Sequence, residues 1–108
     1  MQEICVNTND LEWGEMKEYP AGALEKVLHD GSDKVPKSCL VKVGPGWEMD
    51  EHSHVFTELH YVLEGEYESQ GKIFPAGTFR IVPKHASHGP FKTQTGFTIL
   101  VIWVELHQ

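Results

Sequence analysis

Positive charge, cysteine and long apolar runs are all scarce in this sequence, and each shortage excludes something. Nine Lys and Arg stand against sixteen Asp and Glu, a formal net charge of −7. Binding a phosphate backbone takes concentrated Lys and Arg, so no nucleic-acid partner is expected. An anionic membrane surface is disfavoured for the same reason. The longest apolar stretch, Ile99 to Val104, is strand-sized and far short of the roughly 20 residues that span a bilayer. The first residues, MQEICVNTNDLEW, lack the basic segment and apolar run of a secretory signal. Cys5 and Cys39 are too few for a disulfide framework and form no CxxC pair. Two reduced thiols and a cytoplasmic location follow as expectations. Convincing helical periodicity is missing too, although 108 residues are enough to bury one core.

What is present reads as short strands between turns. Residues 1–22 are polar, with isolated Ile4, Val6, Leu11 and Trp13, and form an N-terminal arm able to add an edge strand. The remaining residues, 23–108, form one β domain. Ala23 to His29 suits a helical turn or a strand, and its shortness between Gly22 and Gly31 decides for strand. Ser38 to Val43 alternates Cys39, Val41 and Val43 on one face. Trp47 to His54 and Glu58 to Leu63 are the next strands, and Gly65 breaks the second. Glu66 to Ser69 reads as a solvated strand, Lys72 to Phe74 and Thr78 to Val82 as two more. Gly96 to His107 is apolar on both faces, the pattern of a strand covered on both sides. In so small a domain the second cover is expected to be another subunit, hence a homodimer. About eight strands at intervals of about ten residues predict an all-β sandwich or barrel. Trp47, Phe56, Tyr61, Phe74, Phe79, Phe91 and Trp103 are the expected aromatic packing.

The chemistry concentrates in Gly46 to Gly65, GWEMDEHSHVFTELHYVLEG. His52 and His54 share a face if that segment is extended, and a hairpin brings the Glu58 carboxylate back onto them. His60 has the parity of Glu58 and is expected inside the barrel, either as a plain cavity-lining residue or as an acid, a base or a substrate contact beside the ligands. Glu64 shares that parity but sits at the turn, solvated. His85 reads as a surface-loop residue. Arg80, between Phe79 and Ile81, reads as an outward charge rather than an inward anchor for an anion.

The spacing from Gly46 through His52-x-His54 and Glu58 to Gly65 resembles the first motif of the cupin superfamily. Gly71, Pro75-x-Gly77, Pro83 and His88 resemble the second. The resemblance implies a double-stranded β-helix, the jelly-roll cupin barrel, in which His52, His54, Glu58 and His88 bind one divalent metal. Lys92 stands where many cupins carry Asn. Three imidazoles and a carboxylate suit Fe, Mn, Ni, Cu or Zn rather than Ca or Mg. Trp13, Pro20-Ala21-Gly22, Glu25 to Leu28, Cys39 to Val41 and GEYESQGKIFPAGTF look like the cupins related to the sensor half of zinc-dependent anti-sigma factors. Some dioxygenases acting on dicarbonyl or acylphenol substrates are similar to that group. The anti-sigma proteins' helical zinc domain has no counterpart ahead of the barrel, so sigma binding is not expected. A metal-dependent dioxygenase, an oxidoreductase of small dicarbonyl, enol or phenolic substrates, is the leading expectation. A non-enzymatic sensing or ligand-binding module and a sugar-type isomerase or epimerase are the alternatives.

Overall fold

The computed structural model describes residues 1–105 apart from 51, 54 and 89, with backbone only at 52, 53, 87 and 88. Among the described residues a 3-10 turn at Thr8–Asp10 precedes eleven strands: β1 Gly14–Glu15, β2 Leu24–His29, β3 Lys37–Val43, β4 Glu48–Met49, β5 His52–Ser53, β6 Thr57–Ser69, β7 Lys72–Pro75, β8 Phe79–Val82, β9 Ser87–His88, β10 Phe91–Lys92 and β11 Phe97–Val104. The larger sheet runs β1-β2-β3-β11-β6-β10-β4, with β7 and β8 also on β6, and β5 pairs with β9. Every pairing is antiparallel. The segment 23–29, ambiguous by pattern, is a strand. Among the described residues no helix is long and apolar enough to cross a membrane.

β6 organises the sheet. Its first half lies between β11 and β8, and its second half between β10 and β7. The change of partners comes at a bulge: Thr98 faces Glu64 but Ile99 faces Val62, so Leu63 is extra. One extra residue inverts the period-two alternation. Before the bulge the inward positions are Glu58, His60 and Val62; after it they are Tyr67 and Ser69, both buried. Glu66 to Ser69 is therefore no solvated strand, and Gly65 does not end β6. The same inversion turns Glu64 outward, where it is exposed.

The core comprises Cys39, Val41 and Val43 of β3, Val62 and Tyr67 of β6, Phe97, Ile99 and Val101 of β11, and Trp47 and Phe91. Tyr67 is its aromatic centre, with the rings of Phe74, Phe91 and Phe97 each 5.4 Å from its own. Burial pushes the Cys39 thiol up to about 12, so it packs as a small apolar side chain and not as a nucleophile. Tyr61, Phe79 and Phe56, expected in the packing, are exposed instead. Tyr61 lies between inward His60 and Val62, and Phe79 is its cross-strand partner on β8.

These outward residues form rows across the sheet: Phe79, Tyr61, Leu100 and Leu40 in one, Ile81, Leu59 and Ile102 in the next. The arm covers only the far end of this face. There β1 pairs with β2, and Trp13 lies under the ammonium groups of Lys26 and Lys42 at 4.8 and 5.6 Å. Met16 and Ala23, at the arm's barrel end, are buried in the core.

Gly65 has a positive φ of 72°, and a Cβ there would collide with the carbonyl oxygen of Gly96. Strain and collision with backbone act together, so Gly65→Ala is expected to cost about 3 kcal/mol or more. Urea unfolding measures this, and a loss below about 1 kcal/mol would mean that the bulge relaxes freely.

Candidate metal centre

Glu58 faces Trp103 of β11 on one side and Val82 of β8 on the other. Its inward parity leaves the carboxylate with 0% exposure. A buried charge survives only if it is paired or bonded. Two residues on, also facing inward, His60 supplies that contact, with Nε2 2.7 Å from Oε1 of Glu58. The other ring nitrogen, Nδ1, lies 3.1 Å from the Tyr67 hydroxyl. That hydroxyl accepts from Nη1 of Arg80 at 3.3 Å.

These contacts have one consistent direction. An ionised carboxylate only accepts, so Nε2–H of His60 donates to Glu58. A neutral imidazole then accepts at Nδ1, which the Tyr67 hydroxyl fills, while the guanidinium donates to the phenolic oxygen. With donors assigned in this way, the chain Arg80, Tyr67, His60, Glu58 is satisfied at each of these atoms. Burial raises the Tyr67 hydroxyl above its ordinary value, and the hydrogen bond and charge of Arg80 draw it partly back. The phenol thus remains a donor at neutral pH.

Arg80 corrects the outward assignment. It stands directly across β6 from His60, and its guanidinium lies 4.2 Å from the centre of the Phe74 ring. Outward Phe79 and Ile81 flank it, the reverse of the usual apolar-in pattern. An aromatic face and a phenolic acceptor make the half-buried position tolerable for a charge. Tyr67 went unrecognised because the bulge inverts parity; its one signal is the glycine two residues earlier, a residue that marks bulges within strands.

The backbone register sets His52 opposite His88 across β5 and β9. His54 lies outside the described residues, as do the side chains of His52 and His88. Among the described residues no group of three or more His, Cys, Asp or Glu is gathered closely enough to hold a metal ion. His85 is exposed in the turn before β9, with a positive φ of 64°. The donors expected at the site, three imidazoles and one carboxylate, fit a borderline transition metal. The buried, oriented Glu58 carboxylate fits it also, because an outer hydrogen bond to a ligand is the usual support of such centres.

Two cavities meet here. An outer cleft of about 1160 Å³ opens between the arm, the β2–β3 loop and the end of β11, with Met16, Tyr19, Lys37, Phe56 and Trp103 in its walls. An inner space of about 10 Å³ lies against Glu58, His60 and Tyr67. Tyr19 and Met49 border both.

The family model of the ChrR cupin-like domain matches residues 1–106. No curated protein sequence matches the chain. Among solved structures, the chain is similar to an acetylacetone dioxygenase from Acinetobacter johnsonii, with TM-score 0.77 and 12% identity over 96% of this chain and 74% of that one. It is similar to the polyketide cyclase RemF from Streptomyces resistomycificus, with TM-score 0.78 and 24% identity over 95% and 79%. It is also similar to the anti-sigma ChrR in complex with SigE from Rhodobacter sphaeroides, with TM-score 0.70 and 20% identity over 91% of this chain and 52% of that one. All share the jelly-roll barrel.

Removing the Tyr67 hydroxyl should strand two buried partners. Tyr67→Phe is expected to lower stability by about 1–3 kcal/mol, seen as an earlier urea midpoint at constant slope. An unchanged midpoint would show that the Arg80–Tyr67–His60 contacts contribute nothing net.

Proposed function

Because the chain belongs to the ChrR cupin-like domain family, we propose that it is a metal-dependent enzyme of the dioxygenase type. Its substrate is a small dicarbonyl, enol or phenol, and His52, His54, Glu58 and His88 hold one divalent transition metal, Fe, Mn, Ni, Cu or Zn. The observation that carries this reading is the fully buried Glu58 carboxylate, aimed inward and fixed at 2.7 Å by His60. A buried carboxylate held in one orientation by an imidazole is the usual form of a supported metal ligand.

When bound, such an ion supplies Lewis acidity and redox chemistry toward dioxygen. The chain's own contributions are positional. His60 fixes the rotation of the Glu58 carboxylate; Tyr67 fixes the imidazole's tautomer; Arg80 fixes the phenol. Both ring nitrogens of His60 are engaged, which favours a supporting role over direct acid or base contact with substrate. The Tyr19 and Met49 walls restrict the water that can stand beside Glu58.

The test is anaerobic loading with Fe(II), elemental analysis, and oxygen uptake with a panel of diketones and acylphenols. Uptake is expected with at least one of them, and His88→Ala should lose most of the bound metal along with the uptake. Absence of uptake with every metal tried would overturn the enzymatic reading. It would favour the second one, a ligand-sensing module, which the family assignment and the likeness to ChrR support. That module would hold zinc tightly and turn nothing over.

We also propose a homodimer joined through the outer rows of β8, β6 and β11. Tyr61, Leu63, Phe79 and Ile81 are 42, 45, 57 and 60% exposed. Side chains of this size span about 150–250 Å² each, so these four alone present roughly 400 Å² of contiguous apolar surface. That is about half of the roughly 800 Å² each partner contributes to a standard interface, and half-buried Leu59, Leu100 and Ile102 extend it. An antiparallel apolar face without central charge suits a copy of itself across a two-fold axis. Light scattering should give a dimer mass at about 10 μM, and Ile81→Lys a monomer. A monomeric wild type at that concentration would exclude the interface.

A further inference from the structure

We infer that Tyr19, carried on the N-terminal arm, is a specificity-determining residue that admits to Glu58 only the narrow end of an uncharged, planar oxygen ligand. The inference rests on the proposed site at Glu58, and three observations carry it.

First, Tyr19 stands at the boundary of the two cavities, facing the wide cleft on one side and the inner space beside Glu58 and His60 on the other. The inner space, about 10 Å³, is at the lower limit for one water molecule. Among the described residues, the way from the cleft to Glu58 runs past the Tyr19 ring and the Met49 side chain and leaves room for a slender terminus.

Second, the ring is held. It packs on Trp47 at 6.1 Å between centroids, tilted by 32°. The turn that follows is clamped to the same indole, whose Nε1–H donates to the Pro20 carbonyl at 3.3 Å. Gly22, at a φ of 103°, closes that turn so near Trp47 that a Cβ would lie 3.3 Å from Cδ1. Ala23 donates to the Pro20 carbonyl at 3.4 Å, and Met16 to the Ala23 carbonyl at 2.9 Å. The arm is thus fastened on both sides of Tyr19. Desolvation, and next the negative charge of Glu58, raise the Tyr19 hydroxyl above its ordinary value, so the partition stays uncharged.

Third, the cleft selects by charge. Glu18, Asp30, Asp33, Asp50 and Glu105 line it, against Lys34 and Lys37. Lys37 lies over the Trp103 ring at 5.2 Å. With a chain of net charge −7, this field opposes dianions, while Met16, Phe56 and Trp103 offer apolar surface to a neutral one.

Two measurements test this. In xenon-pressurised crystals, the wild type should hold no xenon in the inner space, whereas Tyr19→Ala should bind it beside Tyr67 and Phe91. This arm needs no metal. In calorimetry on Zn(II)-loaded protein, acetylacetone should bind about tenfold more tightly than dibenzoylmethane, which is bulky at both ends, or than malonate. Tyr19→Ala should gain about tenfold for dibenzoylmethane and leave acetylacetone within about threefold, with Tyr19→Leu intermediate and folded should the alanine variant be unstable. Zinc affinity should stay within about threefold throughout, since Tyr19 is not a ligand. Equal changes for both diketones, or xenon in the wild-type inner space, would overturn the size filter. Malonate binding as tightly as acetylacetone would overturn the charge selection. If the wild type binds no zinc, the metal reading fails, and the xenon result alone decides the role of Tyr19.

Discussion

A carboxylate with no exposed surface, in the middle of a sheet, constrains everything near it. Glu58 is flanked by β8 and β11, so its neighbours can come only from inward positions of the same three strands or from across the barrel. His60 is the nearest inward residue on its own strand, and Arg80 the inward residue opposite His60. What remains is the gap between imidazole and guanidinium, and Tyr67 fills it because β6 slips by one residue at Leu63. A strand without that slip would carry Tyr67 outward and leave His60 with an unanswered nitrogen. The bulge, the Gly65–Gly96 contact and the hydrogen-bonded chain are thus one device, and Glu58 is what they serve.

The jelly-roll barrel was legible from the spacing of glycines, histidines and prolines between Gly46 and His88, because Gly46, Gly71 and Gly77 stand at turns and Glu58 on an inward position that tolerates few alternatives. The inward pairing of Glu58 and His60 was legible from parity alone. The environment beyond them was not, since parity carries no information past a bulge. Tyr67 and Ser69 were therefore placed in solvent, and Arg80 was turned outward because a charge between two apolar residues normally is. The outward rows of Tyr61, Phe79 and Ile81 reverse that expectation for a physical reason: the apolar residues of β8 face away from the core, toward a surface the chain itself leaves bare. Only β11, apolar on both faces, hinted at it.

The arm shows the opposite case, in which local sequence carries almost no signal. Isolated apolar residues among polar ones give no period, yet Met16 and Ala23 enter the core, Trp13 anchors the outer face and Tyr19 borders the inner space. Their common feature is reach. Tyr19 is fixed by Trp47 and Trp13 by Lys26 and Lys42, and such partners cannot be paired from spacing. The acetylacetone dioxygenase, the polyketide cyclase and ChrR share the barrel at 12–24% identity. A shared barrel therefore carries little information about chemistry.

The hydrogen-bonded chain has a polarity of its own. Every donor points from Arg80 toward Glu58, with a full positive charge at one end, a full negative charge at the other and two neutral groups between. Such a file behaves as an oriented dipole frozen into the barrel rather than as a conductor. To carry a proton outward from the carboxylate, the imidazole would have to exchange tautomers and the phenol would have to turn its hydrogen against the guanidinium, which cannot accept it. The chain of contacts therefore holds the Glu58 carboxylate in one rotation and offers no ready path for a proton from the carboxylate to Arg80.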